Sequence, residues 1–229
     1  VIYQPIYETQ GLPDTVYEIR AAEDVVTPDG TLRYSKGELV DTVTTDESGF
    51  AKSRELYLGK YEVKEVKAGY GMVLSDEVHT VEIVFAGQNV AVTETATSFV
   101  NERQKVKISL EKALETHDLF GIGNNGEIKN ISFGLFADEE LVSASGTAIP
   151  KDGLIEIITL DENGKATVKT DLPLGSFYVK ELATDEHYIL SDTKHPVIFE
   201  YAGQETATVK IAVNDGEPME NKLIYGSVS

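Results

Sequence analysis

Gly175-Ser176-Phe177-Tyr178-Val179-Lys180-Glu181 has a twin 116 residues earlier, Gly59-Lys60-Tyr61-Glu62-Val63-Lys64-Glu65. Each reads as a turn glycine followed by a strand whose side chains alternate between two faces. Tyr61, Val63 and Glu65 then share a face, as do Phe177, Val179 and Glu181. That face is apolar and ends in a carboxylate. An acid on the inward side of a strand is costly unless it is paired, protonated or chemically employed. The same oddity occurs twice.

The twin stretches belong to a longer internal repeat. Val16-Tyr17-Glu18-Ile19-Arg20-Ala21 aligns with Ser132-Phe133-Gly134-Leu135-Phe136-Ala137, and Asp46-Glu47-Ser48-Gly49 with Asp161-Glu162-Asn163-Gly164. Ala86-Gly87-Gln88 aligns with Ala202-Gly203-Gln204, and Asn101 with Asn221 after a short insertion. Within each copy the segments are short, β-branched and aromatic, separated by Gly, Asp, Asn and Pro. Leu39–Thr45, Lys60–Val66, Thr80–Phe85 and Asn89–Thr93 read as strands in the first copy. Ile155–Leu160, Phe177–Leu182, Val197–Tyr201 and Thr206–Val213 read so in the second. A spacing of about ten residues with turn signals indicates antiparallel sandwiches, and no helix longer than two turns is expected. The chain therefore reads as all-β, two tandem antiparallel β-sandwich domains of Ig-like type. The expected boundaries are 1–103, lacking its first strand, then 104–225, with 226–229 opening a following repeat.

Composition narrows the function classes. The 229 residues carry a net charge of -19. It is spread evenly, nine Lys/Arg against 18 Asp/Glu in residues 1–104 and 11 against 21 in residues 105–229. A uniformly acidic surface disfavours nucleic acid and anionic membranes. No apolar run is long enough for a membrane helix. No signal peptide opens the chain, which reads as a segment of a longer protein. There are no cysteines, which excludes disulfides and thiolate metal sites.

Several motifs are set aside on physical grounds. The two Asp-x-x-Gly stretches read as hairpin turns, since the other acidic positions of a calcium loop are missing. Residues 113–131 form a polar insertion containing Gly121-Ile122-Gly123-Asn124-Asn125-Gly126. It matches a dinucleotide fingerprint formally but lacks the following helix that phosphate binding needs, and reads as a flexible loop. Leu12-Pro13-Asp14-Thr15-Val16 reads as a turn before a strand rather than a sorting signal. His79, His117, His187 and His195 are scattered without metal-ligand spacing and read as solvated or structural. No metal site and no cofactor are expected.

Glu181 has two companions in the second copy. Ile108, Leu110 and Lys112 share a face of its opening strand, and Met219, Asn221 and Leu223 share a face of its closing strand. A lysine desolvated in an apolar setting loses its proton more readily and becomes nucleophilic. Asparagine offers an amide carbon, and a buried carboxyl, itself protonated, can polarise the amide oxygen and shuttle protons. Attack with loss of ammonia would join Lys112 to Asn221. On periodicity alone, three unrelated polar residues satisfied separately at strand ends are the preferred reading.

The order of motifs carries a resemblance. A strand lysine comes first, then Phe133-Gly134-Leu135-Phe136-Ala137 and Asp161-Glu162-Asn163-Gly164-Lys165-Ala166. Leu172-Pro173-Leu174-Gly175-Ser176-Phe177-Tyr178-Val179-Lys180-Glu181 and a terminal-strand Asn221 follow. Together they resemble the collagen-adhesin B-type repeats (SpaA-like, prealbumin-like) of Gram-positive surface proteins. The resemblance spans both copies. It implies a prealbumin-like sandwich and an intramolecular isopeptide bond with Lys112 as nucleophile, Asn221 as acceptor and Glu181 as catalytic acid. The first copy keeps Glu65 and Asn101, but Val1 to Tyr7 contains no lysine.

The implied function is a stalk or spacer of a cell-surface adhesin or pilin-like protein. It is not an enzyme beyond a single self-cross-linking event. The expected location is extracellular, cell-wall anchored through other parts of the parent protein, and the expected partners are neighbouring repeats. The alternatives are a module binding a host extracellular-matrix protein or glycan, by strand addition for example, and an accessory domain of a secreted polysaccharide-degrading enzyme.

Overall fold

The computed structural model describes residues 1–143 and 146–228. The described chain is strand and loop, with two four-residue 3-10 turns at Glu127–Asn130 and Val213–Gly216. It forms two compact units. The C-terminal unit comprises Val1–Glu8, Lys105–Tyr201 and Thr208–Ser229, and the N-terminal unit comprises Thr9–Gln104 and Ala202–Ala207. Ser229, read from the sequence as part of a following repeat, lies outside the described residues.

The C-terminal unit is a sandwich of two sheets. One sheet contains β7 (Lys105–Leu114), β12 (Lys165–Thr167), β15 (Thr208–Ala212) and β16 (Met219–Asn221). The other contains β8 (Ser132–Ala137), β11 (Leu154–Thr159), β13 (Gly175–Ala183) and β14 (His195–Phe199), in the order β11-β8-β13-β14. A short hairpin, β9 (Leu141–Val142) with β10 (Ala148–Ile149), stands apart. The second sheet is antiparallel throughout. The first is mixed, because β7 pairs antiparallel with β12 but parallel with both β15 and β16. The alternation read from the sequence is what closes the sandwich. Ile108 and Leu110 from β7 meet Phe133, Leu135, Phe177, Val179, Val197 and Met219 in one buried cluster. Val1–Glu8 belongs to this unit through the Tyr3 amide, which donates to the Leu154 carbonyl at 2.8 Å, and the Tyr3 ring, which packs against the core.

The N-terminal unit holds one four-stranded antiparallel sheet. Its strands are β1 (Val16–Ala21), β4 (Leu39–Thr44), β5 (Gly59–Lys67) and β6 (Val78–Ile83), ordered β4-β1-β5-β6. A small hairpin joins β2 (Val25–Val26) to β3 (Leu32–Tyr34). Its buried core is small, built on Ile19, Ala21, Val25, Val40 and Tyr61. The strand expected at Asn89–Thr93 does not form. In the other copy the equivalent strand, β15, exists by pairing with β7. Among the described residues this unit has no counterpart of β7, so the backbone of 89–93 finds no ladder. The Ala202–Ala207 stretch completes this unit, with the buried Gln104 side chain donating to the carbonyls of Gly203 and Thr206.

The turns behave as their residues require. Gly49 and Gly164 take φ of 82° and 75°, the left-handed region glycine occupies without strain. Asp46 Oδ1 accepts from the amides of Ser48 and Phe50, and Asp161 Oδ1 from those of Asn163 and Lys165. These carboxylates are spent on closing turns. The Gly121–Gly126 stretch is followed only by the short 3-10 turn at Glu127–Asn130.

Candidate functional site

Lys112, Glu181 and Asn221 come together inside the C-terminal unit. β7 carries Lys112 beside Met219 of β16 in the parallel ladder, so Asn221 lies on the neighbouring strand two residues further on. Glu181 projects from β13 in the facing sheet, after Phe177 and Val179 on the same inward face. Their exposures are 4% for Lys112, 3% for Glu181 and 2% for Asn221. Solvent is excluded from all three.

The hydrogen-bond pattern fixes the amide. Lys112 Nζ donates to Asn221 Oδ1 at 2.6 Å. Asn221 Nδ2 donates to Glu181 Oε1 at 2.6 Å and to Thr184 Oγ1 at 3.0 Å. Glu181 Oε2 accepts from the Ser191 amide at 2.8 Å. Lys112 Nζ lies 3.9 Å from Glu181 Oε1 and 5.8 Å from the centre of the Phe133 ring. Glu181 thus meets the amide at its nitrogen, whereas a carboxyl polarising the amide oxygen would meet it at Oδ1. Burial pushes the Lys112 ammonium below its ordinary pKa, against the smaller opposing pull of Glu181 and Glu220. A lysine held this way is nearer to a free amine than one in water.

Glu65 and Asn101 form the equivalent pair in the N-terminal unit. Glu65 is fully buried, and its Oε2 accepts from Asn101 Nδ2 at 2.8 Å and from the Ser75 amide at 2.7 Å. Glu65 Oε1 has no hydrogen-bond partner among the described residues, and no lysine pairs with this carboxylate there. Tyr17 stands opposite Glu65 in the ladder, where Phe133 stands opposite Glu181. Burial, reinforced by Glu65, pushes the Tyr17 phenol up to about 12.

Two residues near these sites escaped the sequence reading. Thr184 was missed because it follows the end of β13, where alternation stops being a guide. His195 was read as one of four scattered histidines. It pairs with Val179 on β14, at the register where His79 pairs with Val63, and the 116-residue offset links the two. Burial, then the neighbouring Lys112, holds the His195 pKa down. Of the other histidines, His79 stacks on Phe99 and His187 contacts Asp185 Oδ1 at 2.5 Å. Among the described residues no group of His, Asp and Glu side chains is arranged to hold a metal ion.

The SpaA prealbumin-like fold domain pattern matches residues 7–98 and again 121–216. The chain belongs to that family. The family's domain thus occurs twice, once in each copy of the repeat. The trypsin-resistant surface T6 protein of Streptococcus pyogenes serotype M6 is 30% identical over 80 residues, which is 34% of this chain and 15% of that protein. The Bacillus anthracis TIE protein shares the fold at a TM-score of 0.54 and 19% identity, over 94% of this chain and 32% of that one. The C-terminal fragment of pilus adhesin SpaC from Lactobacillus rhamnosus GG superposes at a TM-score of 0.44 with 11% identity, covering 94% of this chain and 91% of that fragment. The chain therefore spans a minor part of the length of the first two. No helix among the described residues is long and apolar enough to cross a membrane.

Proposed function

We infer that the chain is a pair of structural repeats from the stalk of a Gram-positive surface adhesin or pilin-like protein, and that its second repeat closes itself with an amide between Lys112 and Asn221. The observation that carries this reading is the dry Lys112–Asn221–Glu181 contact, with Nζ 2.6 Å from the amide oxygen and Glu181 Oε1 2.6 Å from the amide nitrogen. Family membership supports the structural role, and the surface location follows from the kind of relatives the chain resembles. The partners on this reading are neighbouring repeats of the parent protein.

The chemistry follows from the contacts. Desolvation favours the neutral amine of Lys112, which adds to Cγ of Asn221. The Cγ–Nδ2 bond breaks, and ammonia leaves with the proton that Lys112 gives up. Glu181 Oε1 borders both nitrogens and is placed to pass that proton from one to the other. Amine plus carboxamide gives secondary amide plus ammonia, with nothing oxidised or reduced. One event per chain is structural maturation rather than turnover.

Intact-mass measurement tests this directly. One amide lowers the mass by about 17 Da, the ammonia lost when an activated lysine displaces it. A tryptic fragment joining the Lys112 and Asn221 peptides would locate the bond. A full-length chain at its unmodified mass would overturn the cross-linking reading.

A further inference from the structure

We propose that Thr184 is a positioning residue for the Lys112–Asn221 reaction, its hydroxyl holding the second N–H of the nitrogen that leaves. The inference rests on the cross-linking reading above and adds a residue that the repeat alignment does not supply.

Three observations carry it. The first is a bulge. Opposite β8, Glu181 pairs with Phe133 but Ala183 pairs with the very next residue, Ser132. One extra residue on β13 reverses the alternation, so Thr184 comes onto the face that Glu181 occupies. Regular pleating would have turned it to the other side.

The second is hydrogen-bond capacity. The Asn221 amide nitrogen has two hydrogens. Glu181 Oε1 takes one and Thr184 Oγ1 the other, at 3.0 Å. With both engaged, the amide cannot turn over, and Oδ1 stays against Lys112. A turned amide would point N–H groups at the ammonium and an oxygen at the carboxylate. Thr184 therefore holds the carbon in the orientation the amine must attack and keeps Nδ2 beside the proton carrier.

The third is the internal comparison. The N-terminal unit keeps the same bulge, with Glu65 opposite Tyr17 and Lys67 opposite Val16. The position equivalent to Thr184 is Ala68, buried but without a hydroxyl. There Asn101 sends an N–H to the Val73 carbonyl at 3.2 Å instead. The acid, the asparagine and the bulge are common to both copies, while the lysine and the threonine hydroxyl occur together in one.

The test uses the whole chain made by cell-free synthesis, with the loss of ammonia followed by intact mass over time. Thr184→Val keeps the shape and removes the hydroxyl. It should slow bond formation by about tenfold, the scale on which losing one hydrogen bond lets the amide leave the orientation the amine attacks. Thr184→Ser should restore most of the rate. The effect on folding is read separately in Lys112→Met chains, which cannot cross-link. Adding Thr184→Val there should lower the thermal midpoint by only a few degrees, the share of one N–H left without its acceptor. Parental speed in Thr184→Val overturns the proposal, as does equal slowing in Thr184→Ser. A large fall in midpoint in the Lys112→Met chain also overturns it, by making the hydroxyl structural. If the parent never loses ammonia, the failure is of the cross-linking reading itself.

Discussion

Replacing Lys112 with methionine separates the proposed cross-link from the packing around it. Methionine keeps an unbranched stem in the space beside Phe133 and removes the amine. Glu181 still accepts from Asn221 and from the Ser191 amide, while Asn221 Oδ1 loses Lys112 as its donor, as it also does once Nζ is bound to Cγ in a cross-linked parent. What disappears is closure of the loop between positions separated by 109 residues. The chain-entropy relation for a cross-link gives about 5 kcal/mol for a loop of that length. For a domain of this size, each kcal/mol moves the thermal midpoint by about 3–5 °C, so the full effect is about 15–25 °C. Native-state strain and residual structure in the unfolded chain commonly reduce such values, which sets the lower expectation at about 10 °C. Differential scanning calorimetry of parent and variant, each checked by mass, measures it. If the parent carries the bond and Lys112→Met melts within about 2 °C of it, the loop-closure argument is wrong.

Three further outcomes are expected. Glu181→Ala should leave the chain at its unmodified mass while far-UV circular dichroism stays parental; the bond forming at normal speed would remove Glu181 from the mechanism. Glu65→Ala should destabilise the N-terminal unit by about 1–3 kcal/mol, because it leaves the Ser75 amide and one Asn101 N–H without the carboxylate that accepts from them, and an unchanged thermal midpoint would contradict this. Tyr17 keeps its phenol proton to about 12 in the folded unit, while an unfolded chain gives it up near 10, so stability falls as pH rises between those values. Tyr17→Phe should flatten that alkaline loss, read as thermal midpoint against pH.

Period-two alternation was enough to place Glu181, Lys112 and Asn221 inward, since a strand's faces are set residue by residue. It also placed β4, β5, β11 and β13 within a residue or two of their observed ends. Alternation fails where the backbone adds a residue, which is why Thr184 was invisible: a bulge shows only in the pairing of two strands. It fails again at Asn89–Thr93, whose residues suit a strand but whose ladder depends on a neighbour. The parallel pairing of β7 with β15 and β16 is a long-range choice that local pattern does not encode. Nor did alternation reveal that Tyr3 packs into the core of the second copy, because one aromatic residue in a short segment carries no period.

The parallel pairing of β7 and β16 has a mechanical consequence. The chain enters the second repeat at the start of β7 and leaves beyond the end of β16. Pulling on those two ends slides the strands past each other, so the evenly spaced ladder bonds are loaded in shear together rather than peeled one by one. With an amide between Lys112 and Asn221, tension would cross at that point and bypass everything from Ala113 to Glu220. The bypassed stretch contains the Gly-rich insertion and every strand from β8 to β15. Such a repeat could vary its loops widely in length and surface without weakening the line along which it is pulled.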